Sequence, residues 1–303
     1  MIAPRVENVR ASILADHLRL IGELERAARQ ARRRSDERAV HDVRVATRRL
    51  ESALDLLKPV TRRRTRRRAR RALRSLRRSL AVARDMQIAV GLLSDRLGEL
   101  PPAARVLSVQ FQERLKQRLS ALERRASRVC GRREIDDVRR RFERVWRQPL
   151  FEGASEETLL EAAHARQVRR RARADAAIRD AVSRPDAEAE ALHGARVHGK
   201  RWRYVLERHA AVTGDADRAE QRWLKQIQDA LGALQDLSNF RERMSRMSRR
   251  AMANGASPAA VRALLESCDA GRGARLEEFR RLALSGDRGR KPPPEAAVSY
   301  QAS

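Results

Sequence analysis

Val40-His41-Asp42-Val43-Arg44-Val45-Ala46-Thr47-Arg48-Arg49-Leu50 returns 152 residues later as Leu192-His193-Gly194-Ala195-Arg196-Val197-His198-Gly199-Lys200-Arg201-Trp202. Further on, Leu76, Leu80 and Asp85 pair with Ile227, Leu231 and Asp236 at an offset of 151. Two blocks that keep nearly one spacing mark an internal duplication. Outside the shared residues the copies differ freely: Asp42 faces Gly194, Glu51 faces Arg203 and Ser52 faces Tyr204. The basic positions stay basic.

Around each block the apolar residues recur with helical period, and no stretch alternates as a strand would. The first half divides into helices over about 6–34, 37–57, 61–97 and a fourth ending before Pro149, with a break near Gly131. Ser35 or Asp36 caps the second, and Pro59 ends it. The second half repeats the count. Ser155 caps a helix reaching Ser183, and Pro185-Asp186 opens the next. Thr213-Gly214-Asp215 forms a turn, a helix follows from Asp217 to Ala253, and Asn254-Gly255 and Pro258 precede the last, ending near Leu284. The expected fold is therefore all-α: two four-helix bundles, 1–150 and 151–285, related by pseudo-twofold symmetry. A tail over 286–303, rich in Gly and Pro, reads as disordered.

Composition bounds the chemistry. Apolar residues at 42% allow a core, and aromatics at 3% require it to be largely aliphatic. The net charge of +28 repels itself in a compact state unless an anion offsets it. Nearly all of it is arginine, whose planar fork grips phosphate oxygens bidentately. Cys130 and Cys268 stand far apart, without C-x-x-C, which fits a reducing compartment. With no apolar run of membrane length and no leader at Met1, the expected location is the cytoplasm.

At about 100° per residue, His41, Arg44 and Arg48 fall on one helical face, and Val43, Leu50 and Leu54 on the other. His193, Arg196, Lys200 and Tyr204 share a face in the second copy, while Trp202 turns to the core side. A solvated charged face is the ordinary reading of such a stripe, but its retention across the duplication favours a binding face. The third helix adds a second stripe, Arg63, Arg67, Arg70, Arg74 and Arg77, with Arg222 and Lys225 as its thinner counterpart. Five like charges on one face oppose helix formation unless an anion lies against them. Asp85 and Asp236 suit carboxylates that orient a site arginine.

Enzyme patterns are missing: no G-x-x-x-x-G-K-[ST], no G-x-G-x-x-G, no G-x-S-x-G. His193 and His198 stand five apart rather than the four that share a face for zinc, so neither a metal nor another cofactor is expected. His17 and His164 read as ordinary, partly exposed residues, and His209 as a core histidine.

The segment His41-x-x-Arg44-Val45-x-x-Arg48-Arg49-Leu50, echoed as His193-x-x-Arg196-Val197-x-x-Lys200-Arg201, resembles the CHAD family, the conserved-histidine α-helical domains. Leu80-x-x-x-Arg84-Asp85, echoed by Leu231-Gly232-x-x-Gln235-Asp236, looks like that family's second signature. The resemblance covers about residues 5–285. It implies paired bundles with a central basic groove or pore, and inorganic polyphosphate as ligand, with association with polyphosphate granules. It also implies that His41, Arg44, Arg48, Arg49, His193, Arg196, Lys200 and Arg201 face that ligand, where phosphate or sulfate could also sit. No tunnel domain of E-x-E-x-K type accompanies it, so the chain resembles the stand-alone form. Gln235 departs from Arg84, and Ala81 stands where the second copy has Gly232. The expected function is non-catalytic polyphosphate binding; nucleic-acid or generic polyanion binding is the alternative.

Overall fold

The computed structural model describes residues 8–34, 36–184 and 189–287, and every element among them is helical. Ser35, Pro185-Asp186 and residues 288–303 of the expected tail lie outside the described residues. In order, the helices are α1 (Val9–Arg33), α2 (Glu37–Leu56), α3 (Arg63–Ser79), α4 (Ala81–Arg96), α5 (Pro102–Val129) and α6 (Arg132–Trp146). There follow α7 (Pro149–Glu152), α8 (Glu156–Ser183), α9 (Ala189–Thr213), α10 (Arg218–Ala253) and α11 (Pro258–Asp287). The last helix therefore runs past its expected end near Leu284 and takes in Gly286 and Asp287 of the expected tail.

Local chemistry sets the boundaries. Asp36 accepts the amide of Ala39 at 2.8 Å, and Ser155 that of Thr158 at 3.1 Å, each filling one donor that a helix start leaves open. Gly214 at φ 73° and Gly255 at φ 85° make left-handed turns where other residues would be strained. The long arginine-rich helix expected over 61–97 breaks at Leu80. There Arg44 Nη1 donates to the carbonyl of Arg77 at 3.0 Å, a side chain entering the backbone ladder at the bend. The expected break near Gly131 separates α5 from α6.

Three cores form, and they do not divide at residue 150. The first joins α1, α2, α3 and α6 to Leu159 and Ala163 of α8 and Val205 and Val212 of α9. The second lies within the second half, where Trp202 meets Trp223 edge-on at 5.9 Å. The third packs Met86 of α4 and Phe111 of α5 against Phe240 of α10 and Leu264 of α11, so each half lends a helical pair. The halves are thus interlocked, with α2 against α9 and α4 against α10. A buried pair adds to this: Arg208 Nη1 of α9 donates to both oxygens of Asp16 in α1, at 2.7 and 2.9 Å.

His17, expected to be partly exposed, is buried beside Phe142 and Trp146. Its Nδ1 donates to the carbonyl of Ile13 at 2.5 Å, and Nε2 has no hydrogen-bond partner among the described residues. Burial pushes its pKa down to about 4. The unfolded chain takes up this proton near 6.5 and the folded one resists until about 4. Stability should therefore fall as pH drops through that window, by at most about 3 kcal/mol. Urea midpoints at pH 7 and pH 5 check this: the wild-type loss should shrink in His17→Phe.

Candidate functional site

Helix α2 presents Arg48, Glu51, Ser52 and Asp55 on one face, three and four residues apart, and α9 sets Arg196, Lys200, Arg201 and Tyr204 beside them. With α3 along one wall and α8 along the other, these helices enclose a cavity of about 650 Å³. Fourteen basic side chains line it against two carboxylates, so the lining is strongly basic.

The two carboxylates organise the walls. Glu51 accepts Arg74 Nε and Arg77 Nη1, both at 2.8 Å, with Arg70 Nε at 3.6 Å. Asp55 is 8% exposed and accepts Arg170 Nε at 3.0 Å. The same carboxylate is paired with Arg166 and, at 3.4 Å, with Arg70 Nη2. Burial opposes both carboxylates' charge, yet the neighbouring guanidiniums win and hold each below the ordinary carboxylate range. Arginines from α3 and α8 are thereby fixed with donors to spare. Arg63, Arg67 and Arg173, by contrast, have no carboxylate within ion-pair distance among the described residues, and all three are exposed at the rim.

At the base, Arg48 hydrogen-bonds Tyr204 across the two halves and faces Arg77 and Arg196; burial pushes its pKa down. Lys200 stands where the first copy has Arg48. Burial first, then Arg48, Arg196 and Arg203, drive its pKa down to about 6, with Asp236 pulling the other way. Tyr204 is buried at 4% exposure, with the Arg203 guanidinium 4.9 Å from its ring centre. It offers no free aromatic face.

Ten of the expected site residues line this cavity: Arg48, Arg196, Lys200, Arg201 and Tyr204, together with the α3 stripe Arg63, Arg67, Arg70, Arg74 and Arg77. The others lie elsewhere. Arg44 caps α3 at the Arg77 carbonyl, and burial brings its pKa down to about 10. Arg49 is taken up by Glu23 at 3.0 Å and Glu207 at 3.6 Å, tying α2 to α1 and α9. Arg222 and Lys225 are exposed on α10 away from the cavity, with Lys225 4.0 Å from Asp229.

His41 and His193 are exposed and do not line the cavity. Partial burial, then Arg84, lowers the pKa of His41, and His193 Nδ1 contacts Gln235 Oε1 at 3.3 Å. Gln235 thus meets the histidine of its own copy, whereas Arg84 pairs with Glu37 of α2. Asp85 and Asp236 line a smaller groove of about 180 Å³ with Arg243 and Arg246. Burial, with Asp85 alongside, raises the pKa of Asp236 against the pull of Arg196. Among the described residues, the carboxylates within ion-pair distance of cavity arginines are Glu51 and Asp55.

Sequence reasoning missed Arg66, Lys58 and the α8 wall, Arg166, Arg170 and Arg173. The α8 trio had a signal: it repeats the spacing of four and three that marked α3. Among the described residues no helix is long and apolar enough to cross a membrane, and no three His, Cys, Asp or Glu are placed to hold a metal.

The CHAD domain family model matches residues 13–245. No curated protein matches the sequence. Among solved structures, the CHAD domain from the plant Ricinus communis superposes with a TM-score of 0.63 at 20% identity, covering 94% of this chain and 93% of that one. PptA from Streptomyces chartreusis superposes with a TM-score of 0.57, also at 20% identity, over 89% of this chain and 98% of its own. At these identities the likeness concerns the fold.

Proposed function

The chain belongs to the CHAD domain family, and from that membership and the arginine cavity we propose that it binds inorganic polyphosphate without catalysis and associates through it with polyphosphate granules. The observation that carries this reading is the cavity's imbalance, fourteen basic side chains against two carboxylates. The cations also repeat along the walls, one or two per helical turn on α3 and α8, which suits a ligand whose charge repeats along a chain. Guanidinium forks grip phosphoryl oxygens bidentately, and a bound polyanion sheds its condensed counterions, so affinity falls steeply with salt.

Nucleic acid carries the same backbone charge, but its single strands are held by stacking as well. The one aromatic side chain lining the cavity is Tyr204, covered by Arg203 and bonded to Arg48. That favours a ligand with nothing to stack.

Competition tests the choice. Labelled polyphosphate bound to the full chain at physiological salt should resist displacement by duplex DNA or single-stranded RNA. At equal phosphate equivalents, unlabelled polyphosphate should displace it at least about tenfold more effectively. Equal displacement by all three would reduce the site to a generic polyanion binder.

A further inference from the structure

We propose that Lys200 is a covalent modification site, an amine at the base of the cavity that takes an acyl group from small acyl phosphates whose phosphate the surrounding arginines hold. Four observations converge. Lys200 lines the cavity and is half-buried. Among the described residues no carboxylate lies within ion-pair distance of its nitrogen. The guanidiniums acting on it come from two elements: Arg48 on α2, and Arg196 and Arg203 on its own helix. Asp236 of α10 acts on it in the opposite direction, and His41 of α2 is a further titratable neighbour.

Burial, and then crowding by like charges, disfavour the ammonium form, bringing the pKa to about 6. At pH 7.5 the amine is then mostly neutral, whereas an ordinary lysine is neutral in roughly one molecule in a thousand. A less basic amine is also a weaker nucleophile. Set against the gain in neutral fraction, this leaves an advantage on the order of tenfold over an exposed lysine. In the first copy the same position is Arg48, which cannot lose its proton. The duplication therefore yields one reactive position.

The step balances without an external oxidant or reductant. The lone pair of Lys200 Nζ attacks the carbonyl carbon of the acyl phosphate, and the bond from that carbon to the phosphate oxygen breaks. Inorganic phosphate departs between Arg48 and Arg196, and the amine proton passes to it or to water. The product is a neutral amide, so acylation deletes one cation that a bound polyanion would otherwise recharge. Capture of the reagent rests on the anion-binding reading above; the state of the amine does not.

The test uses the full chain with acetyl phosphate at pH 7.5, following each lysine by peptide mass spectrometry. The sequence holds five lysines, so Lys200 can be compared with exposed Lys116 and Lys225 and with Lys58, exposed at the cavity rim. Lys200 is expected to acetylate about tenfold faster than the other three, and inorganic polyphosphate should protect it without slowing Lys116. A rate equal to that of Lys116, or equal labelling of Lys58, overturns the proposal, even where polyphosphate binds. Selective labelling of Lys200 that polyphosphate fails to block upholds it and counts against the polyphosphate reading instead.

Discussion

Replacing Arg67 and Arg173 together with glutamate is expected to weaken polyphosphate binding by about two orders of magnitude at physiological salt, with helicity unchanged. The two residues face the cavity from opposite walls, α3 and α8. Neither is engaged by a carboxylate among the described residues, and both are exposed, so reversing them breaks no buried pair and opens no void. Each change removes a guanidinium and adds a repelling carboxylate at the entrance. The plot of log affinity against log salt should flatten by about two, one for each lost phosphate contact.

The comparison variant is Arg222→Glu with Lys225→Glu. It alters net charge equally, but on the exposed face of α10 outside the cavity. Anisotropy titrations of labelled polyphosphate against salt separate the two cases. A cavity site predicts a large loss in the first variant and a change of less than about threefold in the second, since screening over a Debye length of about 8 Å mutes distant charge. Equal losses would mean that net charge alone, rather than the cavity, governs binding.

The helices were readable because their evidence is local: caps at Asp36 and Ser155, turns at Gly214 and Gly255, and a 3.6-residue apolar period. The bend at Leu80 was not, because it depends on Arg44 reaching a carbonyl 33 residues away. The site was legible where helical phase decides it, as for Arg48, Arg196, Lys200 and the α3 stripe. It failed where a partner on another helix decides it. Arg49 follows Arg48 in sequence, yet Glu23 and Glu207 claim it. Tyr204 shares the basic face by phase, but the facing half buries it. The overlooked acids show the opposite case: Glu51 and Asp55 each fall within about 20° of Arg44 on the α2 wheel. The duplication does not single out Glu51, since the second copy has Arg203 there. Its importance depends on α3 lying across α2, which no wheel shows.

Asp55→Ala should lose stability in buffer and recover it disproportionately with polyphosphate. The carboxylate is almost fully buried and serves Arg70, Arg166 and Arg170 at once, joining three helices. Removing it leaves three guanidiniums close together with their mutual repulsion uncompensated. Breaking such a buried pair costs about 3 kcal/mol or more, which in a chain of this size lowers the melting temperature by about 6 °C. A ligand that binds only the folded state stabilises it by an amount set by its concentration over its Kd. In the variant a phosphate can take the place of the lost carboxylate, so the ligand's gain in melting temperature should exceed that of the wild type. Acid should have a related effect on the wild type. Because the Asp55 pKa is held below its ordinary value, the stability it contributes is present above the unfolded value and lost as pH falls through the folded one. Calorimetry with and without polyphosphate decides the matter. Destabilisation with no additional rescue would mean that the three arginines serve the fold alone, and no destabilisation would mean that they are solvated in spite of their burial.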